Sequence, residues 1–241
     1  MTEMRTLGWD IRQTGVKREP YQLPPQIAEL IDGMMDGEKR VWTPSETPSP
    51  GSNRFSELES TFRGGYGHYQ WSERPRKTNE GDGYGFDVEG GTPVCRCVRE
   101  QGLKDFGIWG VFLGRWIVTQ RALDVFREFG GDAINSLEVD FSHINGERFS
   151  EAIHWMDITR GFHGLDLERS KLYFECRNGV PYLASFHGGV FRSDIPPGMH
   201  VFREGGLWRM FVSKELGAAL KKAKIKNVGL RDIAQFALGF R

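Results

Sequence analysis

With 241 residues, 39% of them hydrophobic and 27% charged, the chain has an ordinary globular composition and is long enough to bury a core without disulfide or metal staples. Lys plus Arg balance Asp plus Glu at 32 each, which excludes a global field steering the molecule to nucleic acid or an anionic membrane and leaves only local patches. Three cysteines, Cys95, Cys97 and Cys176, behind a start (MTEMRTLGWD) with no apolar signal-peptide core, predict the reducing cytoplasm, and the longest apolar stretch, Ile108 to Val118, is interrupted by Arg115 and too short for a membrane span of roughly 20 residues.

In chain order, the first predicted element is a helix from Pro25 to Met35, opened by Pro24-Pro25 and carrying Ile27, Leu30, Ile31 and Met34 on one side. Thr43 to Asn53, with three prolines among small polar residues, reads as a loop or linker. Ser56 to Phe62 is too short to classify. From Gly64 to Gly91, eight glycines alternate with Tyr66, Tyr69, Trp71, Tyr84 and Phe86, which rules out a helix and suggests irregular hairpins or an Ω-like excursion. With Arg63, Arg74, Arg76 and Lys77 nearby, these rings have the makings of a base-stacking surface, weighed against an aromatic loop folded back on its own domain.

Order improves from Pro93. Val94 to Val98 is a predicted strand, and Trp109 to Val118 leads into a strand–cap–helix unit. In that unit Trp116 to Val118 is the strand, Thr119 the N-cap, Ala122, Val125, Phe126 and Phe129 the apolar stripe, and Gly130-Gly131 the stop. Leu137 to Phe141 alternates as a strand with Glu138 and Asp140 on one face. Ala152 to Ile158, Lys171 to Cys176 and Tyr182 to Phe186 are short strands, Pro196-Pro197-Gly198 is a turn, and His200 to Arg203 enters another strand. The unit then recurs. Trp208, Met210 and Val212 alternate with Arg209 and Phe211, Ser213 is the cap, and Leu216, Ala219, Leu220 and Ala223 form the helix stripe. Two copies of one unit suggest a duplicated framework. Many short strands and few helices, without regular βαβ alternation, predict an α+β fold with a largely antiparallel or mixed sheet. The expected division is an irregular N-terminal segment, 1–92, with one helix and Pro/Gly-rich loops, followed by an α+β domain, 93–241.

Few residues offer chemistry. Cys95 and Cys97, two apart on a strand, share a face and pack as small hydrophobes more readily than they hold a tetrahedral zinc. Asp157, His163, Asp166 and Glu168 bring carboxylates and a histidine close in sequence, which suits acid–base work, and Asp166 and Glu168 would project together from a strand; turn chemistry and surface charge are the plainer reading. Lys214, Lys221, Lys222, Lys224, Lys226 and Arg231 form a basic run, read as a solvated face before a nucleic-acid contact. No GxxxxGK[ST] or GxGxxG string is present, so nucleotide binding has no support.

The order of motifs in the second half is informative. It runs strand–Ser/Thr–helix, then Asp166 to Ser170 (DLERS), a short strand pair, Phe202-Arg203, Phe211 to Leu216 (FVSKEL), and a terminal helix followed by a Val228-Gly229 turn. Over roughly Val94 to Leu230 this resembles a family of bacterial immunity proteins of polymorphic toxin systems, encoded beside toxin genes and long carried as a domain of unknown function. The resemblance implies a protein that is not an enzyme, carries no cofactor or metal, and binds and blocks a cognate toxin, often a nuclease in such systems, inside the producing cell. Against a nuclease's basic surface the expected partner-binding residues are Glu138, Asp140, Asp166 and Glu168, with the glycine- and aromatic-rich stretch as a variable contact loop. The alternatives are a nucleic-acid-binding module, and behind it a hydrolase built on Asp157, His163, Asp166 and Glu168.

Overall fold

The computed structural model describes residues 23–46, 49, 53–61, 69–71, 92–97, 107–111, 115–143, 145–204 and 209–235. Most of the glycine- and aromatic-rich stretch, including Tyr66, Tyr84, Phe86, Arg63, Arg74, Arg76 and Lys77, lies outside the described residues, as do Val98 and Trp208. Along the chain run α1 (Pro25–Ile31), β1 (Lys39–Trp42), β2 (Phe55–Ser60), β3 (Tyr69–Trp71), β4 (Val94–Cys97), β5 (Ile108–Val111), β6 (Arg115–Thr119), α2 (Gln120–Gly130), β7 (Ile134–His143), β8 (Ile153–Ile158), β9 (Gly161–Phe162), β10 (Lys171–Arg177), β11 (Val180–His187), β12 (Val201–Glu204), β13 (Met210–Ser213), α3 (Lys214–Lys222) and β14 (Val228–Arg231). Three sheets result among the described residues: β1-β10-β11, β14-β2-β13-β12-β9 and β3-β4-β7-β8-β6-β5. The first is antiparallel throughout; β9–β12 and β4–β7 are parallel pairs, so the fold is α+β with antiparallel and mixed sheets.

The two predicted strand–cap–helix units are β6–α2 and β13–α3. Ala122 N donates to Thr119 Oγ1 at 3.4 Å and Leu216 N to Ser213 Oγ at 3.2 Å, so both caps satisfy a first-turn donor. Their likeness extends to topology. Strands β6 and β7, joined by α2, both run antiparallel to β8 between them; β13 and β14, joined by α3, both run antiparallel to β2 between them. Each first strand also carries an antiparallel partner on its outer side, β5 for β6 and β12 for β13. Each unit is therefore a split βαβ, and the halves differ in the source of the middle strand. Strand β8 follows β7 directly, whereas β2 arrives from far upstream, with 152 positions between Glu57 and its ion-pair partner Arg209.

Among the described residues three cores form. The first gathers α1, the inner face of the small sheet (Leu172, Phe174, Leu183, Phe186) and one face of the five-stranded sheet (Phe55, Phe202, Phe211). The second joins α2 and α3 to the other face of the five-stranded sheet and one face of the six-stranded sheet, through Phe126, Leu216, Leu220, Val201, Val212 and Met156. A Cβ on Gly130 would meet Ile134 Cγ1 at 2.6 Å and Val201 Cγ1 at 2.9 Å, so this position takes glycine by close approach. The third core, on the opposite face of the six-stranded sheet, holds Cys95 and Cys97 beside Ile117, Val139, Phe141 and Trp155, which is the packing role read from their spacing. Burial there pushes the Cys95 thiol well above its usual range.

Several details depart from the sequence reading. Helix α1 stops at Ile31, because Asp32 is extended and Gly33 adopts φ +66°; Met34 is still buried, while Met35 is 74% exposed. The segment that could not be classified is the central strand β2. Strands β1, β2 and β3, all from residues 1–92, hydrogen-bond to β10, to β13 and β14, and to β4 respectively. At the end of the presumed linker, Asn53 is buried: it donates to Gly189 O at 3.0 Å and accepts from Phe191 N at 3.0 Å.

Candidate partner-binding surface

Glu138 and Asp140 stand two apart on β7, as their alternation predicted, and the hairpin geometry places them at the mouth of a cleft. Strands β7 and β8 are paired from Ile134↔Ile158 to Val139↔Ile153 and then part, and the chain leading into β8 returns to the end of β7 at the Ser142↔Arg148 bridge and at the hydrogen bond from His143 N to Glu147 O of 2.8 Å. The gap is a cleft of about 370 Å³ lined by Glu138, Asp140, Glu151, Arg148, Phe141 and Phe149 among others. Phe149 closes one side, stacked on His143 at 4.3 Å and tilted against Phe141 at 4.9 Å.

Three carboxylates face one guanidinium in this cleft. Arg148 lies 3.5 Å from Asp140, and both side chains are exposed enough that the pair is worth little on its own. Glu151 accepts from Arg121 N at 2.8 Å in the first turn of α2, where the helix dipole favours negative charge. Glu138 is exposed and has His154 as its cross-strand partner. His154 is 8% exposed, and its Nε2 has no hydrogen-bond partner among the described residues. Burial lowers its pKa; Glu138 pulls the other way, and Arg127 reinforces burial. The local surface is acidic, with a partly apolar floor.

Asp166 and Glu168 sit elsewhere. They do not project from a strand as expected: residues 166–170 form a turn, because Leu165 and Leu167 are both buried in the first core and Asp166 Oδ1 accepts from Arg169 N at 3.1 Å. The Glu168 carbonyl accepts from Trp42 Nε1 at 3.2 Å, tying the turn to β1 rather than to the six-stranded sheet. The four expected carboxylates therefore form two separate pairs.

The histidine and carboxylates read as a possible hydrolytic set are also dispersed. Asp157 is 1% exposed and paired with the equally buried Arg203, whose Nε also donates to Ile158 O at 2.7 Å. His163 Nδ1 lies 3.9 Å from Glu204 Oε1, and Glu204 Oε2 accepts from Gly164 N at 3.0 Å and Leu165 N at 3.2 Å. Arg203 and Glu204 thus cross-link β12 to the chain around β8 and β9, and Asp157 is shielded from any substrate. Sequence reasoning noticed Arg203 only as part of a motif and missed Glu204, since a buried carboxylate satisfied by backbone N–H groups leaves no spacing signal. Lys214, Lys221, Lys222, Lys224 and Lys226 are exposed, and Arg231 pairs with Glu59 at 2.6 Å, the solvated face that was expected.

Among the described residues no group of three or more His, Cys, Asp or Glu is placed to hold a metal ion, and no helix is long and apolar enough to cross a membrane. A family model described as "Immunity protein family (Imm11)" matches residues 54–235. The match starts beside the first residue of β2, some forty residues before the resemblance read from sequence, and ends with the 3-10 turn Ile233–Gln235. No curated protein matches the chain.

Proposed function

Because the chain belongs to the Imm11 immunity protein family, we propose that it neutralises a cognate bacterial toxin by stoichiometric binding in the cytoplasm of the producing cell, and that the toxin is a nuclease met through its basic nucleic-acid-binding surface. The observation that supports this target class is the acidic cleft where β7 and β8 part. Glu138, Asp140 and Glu151 outnumber Arg148 there, and the cleft lies on a hairpin supported from below by the third core, so binding needs little reordering. Opposite charge across the approaching surfaces speeds encounter, and Phe141 and Phe149 supply apolar contact once water leaves. In this reading Asp166, with Arg169 at 3.9 Å, and Glu168 offer the same partner a second contact on their separate turn. Occlusion requires no turnover and no cofactor.

Co-expression tests the reading: cells carrying the toxin domain from an adjacent reading frame should survive only with this protein present. Reversing the four charges (Glu138→Lys, Asp140→Lys, Asp166→Lys, Glu168→Lys) should slow association at least tenfold at low salt and flatten its salt dependence. Full protection by a folded four-charge variant, with an unchanged association rate, would falsify the assignment of these carboxylates; failure of the wild type to protect against any neighbouring toxin would remove the function itself.

A further inference from the structure

The outer face of the small sheet has a character opposite to the cleft. Its inner face carries Leu172, Phe174, Leu183 and Phe186 into the first core, and β1 and β10 alternate against it, with the register of β11 shifting by one between Tyr173 and Phe174; Val41 and Tyr173 therefore stand together outside, as do Lys39, Glu175 and Tyr182 one step along. Among the described residues the exposed large apolar side chains are Met35 (74%), Val41 (43%) and Val180 (42%); the two valines belong to this sheet and Met35 to the loop that leads into it. Val41 is on β1, and Val180 pairs with Arg177 at the β10–β11 turn. Met35 is held at the same end, where Gly37 N donates to Cys176 O at 2.9 Å and Asn178 N to Asp36 Oδ1 at 2.5 Å. Scattered singly such residues mean nothing; Val41 and Val180 on the outer face beside Tyr173 and Tyr182 have the composition of a contact surface.

Charge says what it contacts. Glu175 is already satisfied: Tyr182 OH donates to it at 2.8 Å, holding its carboxyl below the usual range, and Lys39 lies at 3.2 Å. Lys171 and Arg177 make no ion pair among the described residues and instead sit 5.8 Å and 5.9 Å from the rings of Tyr173 and Tyr182. A cation resting on an aromatic edge of an exposed sheet is available to an incoming carboxylate, and Tyr and Arg are the side chains that most often anchor protein interfaces.

We infer that the outer face of β1–β10–β11 is a second docking surface for the toxin polypeptide, receiving a segment with an apolar centre and flanking carboxylates. This rests on the proposed function and adds a contact of opposite sign, which would also fix the orientation in which the cleft meets its target. The test uses the purified full chain titrated calorimetrically against the catalytically inactivated toxin that it neutralises on co-expression. Two exposed variants are compared with the wild type, Lys171→Glu/Arg177→Glu and Val41→Asp, each checked for an unchanged unfolding midpoint. Both should weaken the complex at least tenfold, while the Glu138→Lys/Asp140→Lys variant changes mainly the association rate. Affinity within twofold of wild type for both outer-face variants, with the cleft variant impaired, overturns this inference and leaves the proposed function standing. Self-association of the wild type that the outer-face variants abolish, or binding of a single-stranded oligonucleotide that they abolish, assigns the face to another occupant and equally overturns it. No complex with wild-type protein overturns both.

Discussion

Replacing Asp157 by Asn removes the anion opposite Arg203 while preserving shape. Both side chains are 1% exposed, so water cannot restore the lost charge, and the guanidinium keeps neutral acceptors such as Ile158 O at 2.7 Å. Breaking a buried pair from one side typically costs about 3–5 kcal/mol, because the surviving charge stays desolvated. In a domain of this size each kcal/mol is worth about 2–4 °C, so the melting temperature should fall by roughly 6–20 °C. Urea unfolding followed by tryptophan fluorescence measures the free-energy loss, and thermal unfolding followed by circular dichroism the shift in melting temperature. Replacing both partners with apolar residues, Asp157→Leu with Arg203→Met, should recover most of the loss, since a buried ion pair and a packed apolar pair are often close in free energy. A single variant costing less than about 1 kcal/mol, or a double variant as damaged as the single, would refute the view that Arg203 is a desolvated charge dependent on Asp157.

Three further outcomes are expected. Thr119→Ala and Ser213→Ala should each destabilise by about 1 kcal/mol in chemical denaturation, and by similar amounts, since each removes one cap to a helix of the same type. Gly130→Ala should cost about 1–3 kcal/mol despite alanine's better helix propensity, because its Cβ would fall 2.6 Å from Ile134 Cγ1; a neutral or stabilising result would show that the α2–β12 contact can open. Burial depresses the pKa of His154, and of His187, below the ordinary 6.5, so the folded state binds fewer protons than the unfolded chain. Their contribution to stability is complete above about pH 6.5 and is lost as pH falls from there through the folded values; His154→Gln should flatten the stability profile in that window.

The local grammar of the chain was legible where one element carries its own signals. Thr119 and Ser213 each precede an apolar stripe at helical spacing, and both cap as read; Glu138 and Asp140 share a face because a strand of ten residues is long enough to show its period. Signals that depend on distant partners were not legible. Strand β2 mixes Phe55 and Leu58 with Glu57 and Glu59, because Glu57 is buried against Arg209 at 3.1 Å and Glu59 pairs with Arg231, partners more than a hundred residues away. Asp166 and Glu168 were misread as a strand pair since a turn anchored by Leu165 and Leu167 shows the same alternation. A signal that was present went unused: Asn178-Gly179, at φ +55° and +73°, is the two-residue turn that pins the register of β10 and β11.

The late arrival of partners for β2 has a consequence for biosynthesis. On the ribosome this strand emerges long before β13 and β14, which must flank it. The β6–α2–β7–β8 unit can close while translation continues, whereas Phe55 and Leu58 wait with their apolar side chains uncovered until β13, α3 and β14 have left the exit tunnel. Premature termination anywhere before residue 228 would therefore leave β2 without one of its edges, and chaperone dependence in the cell should track the time spent in that incomplete state.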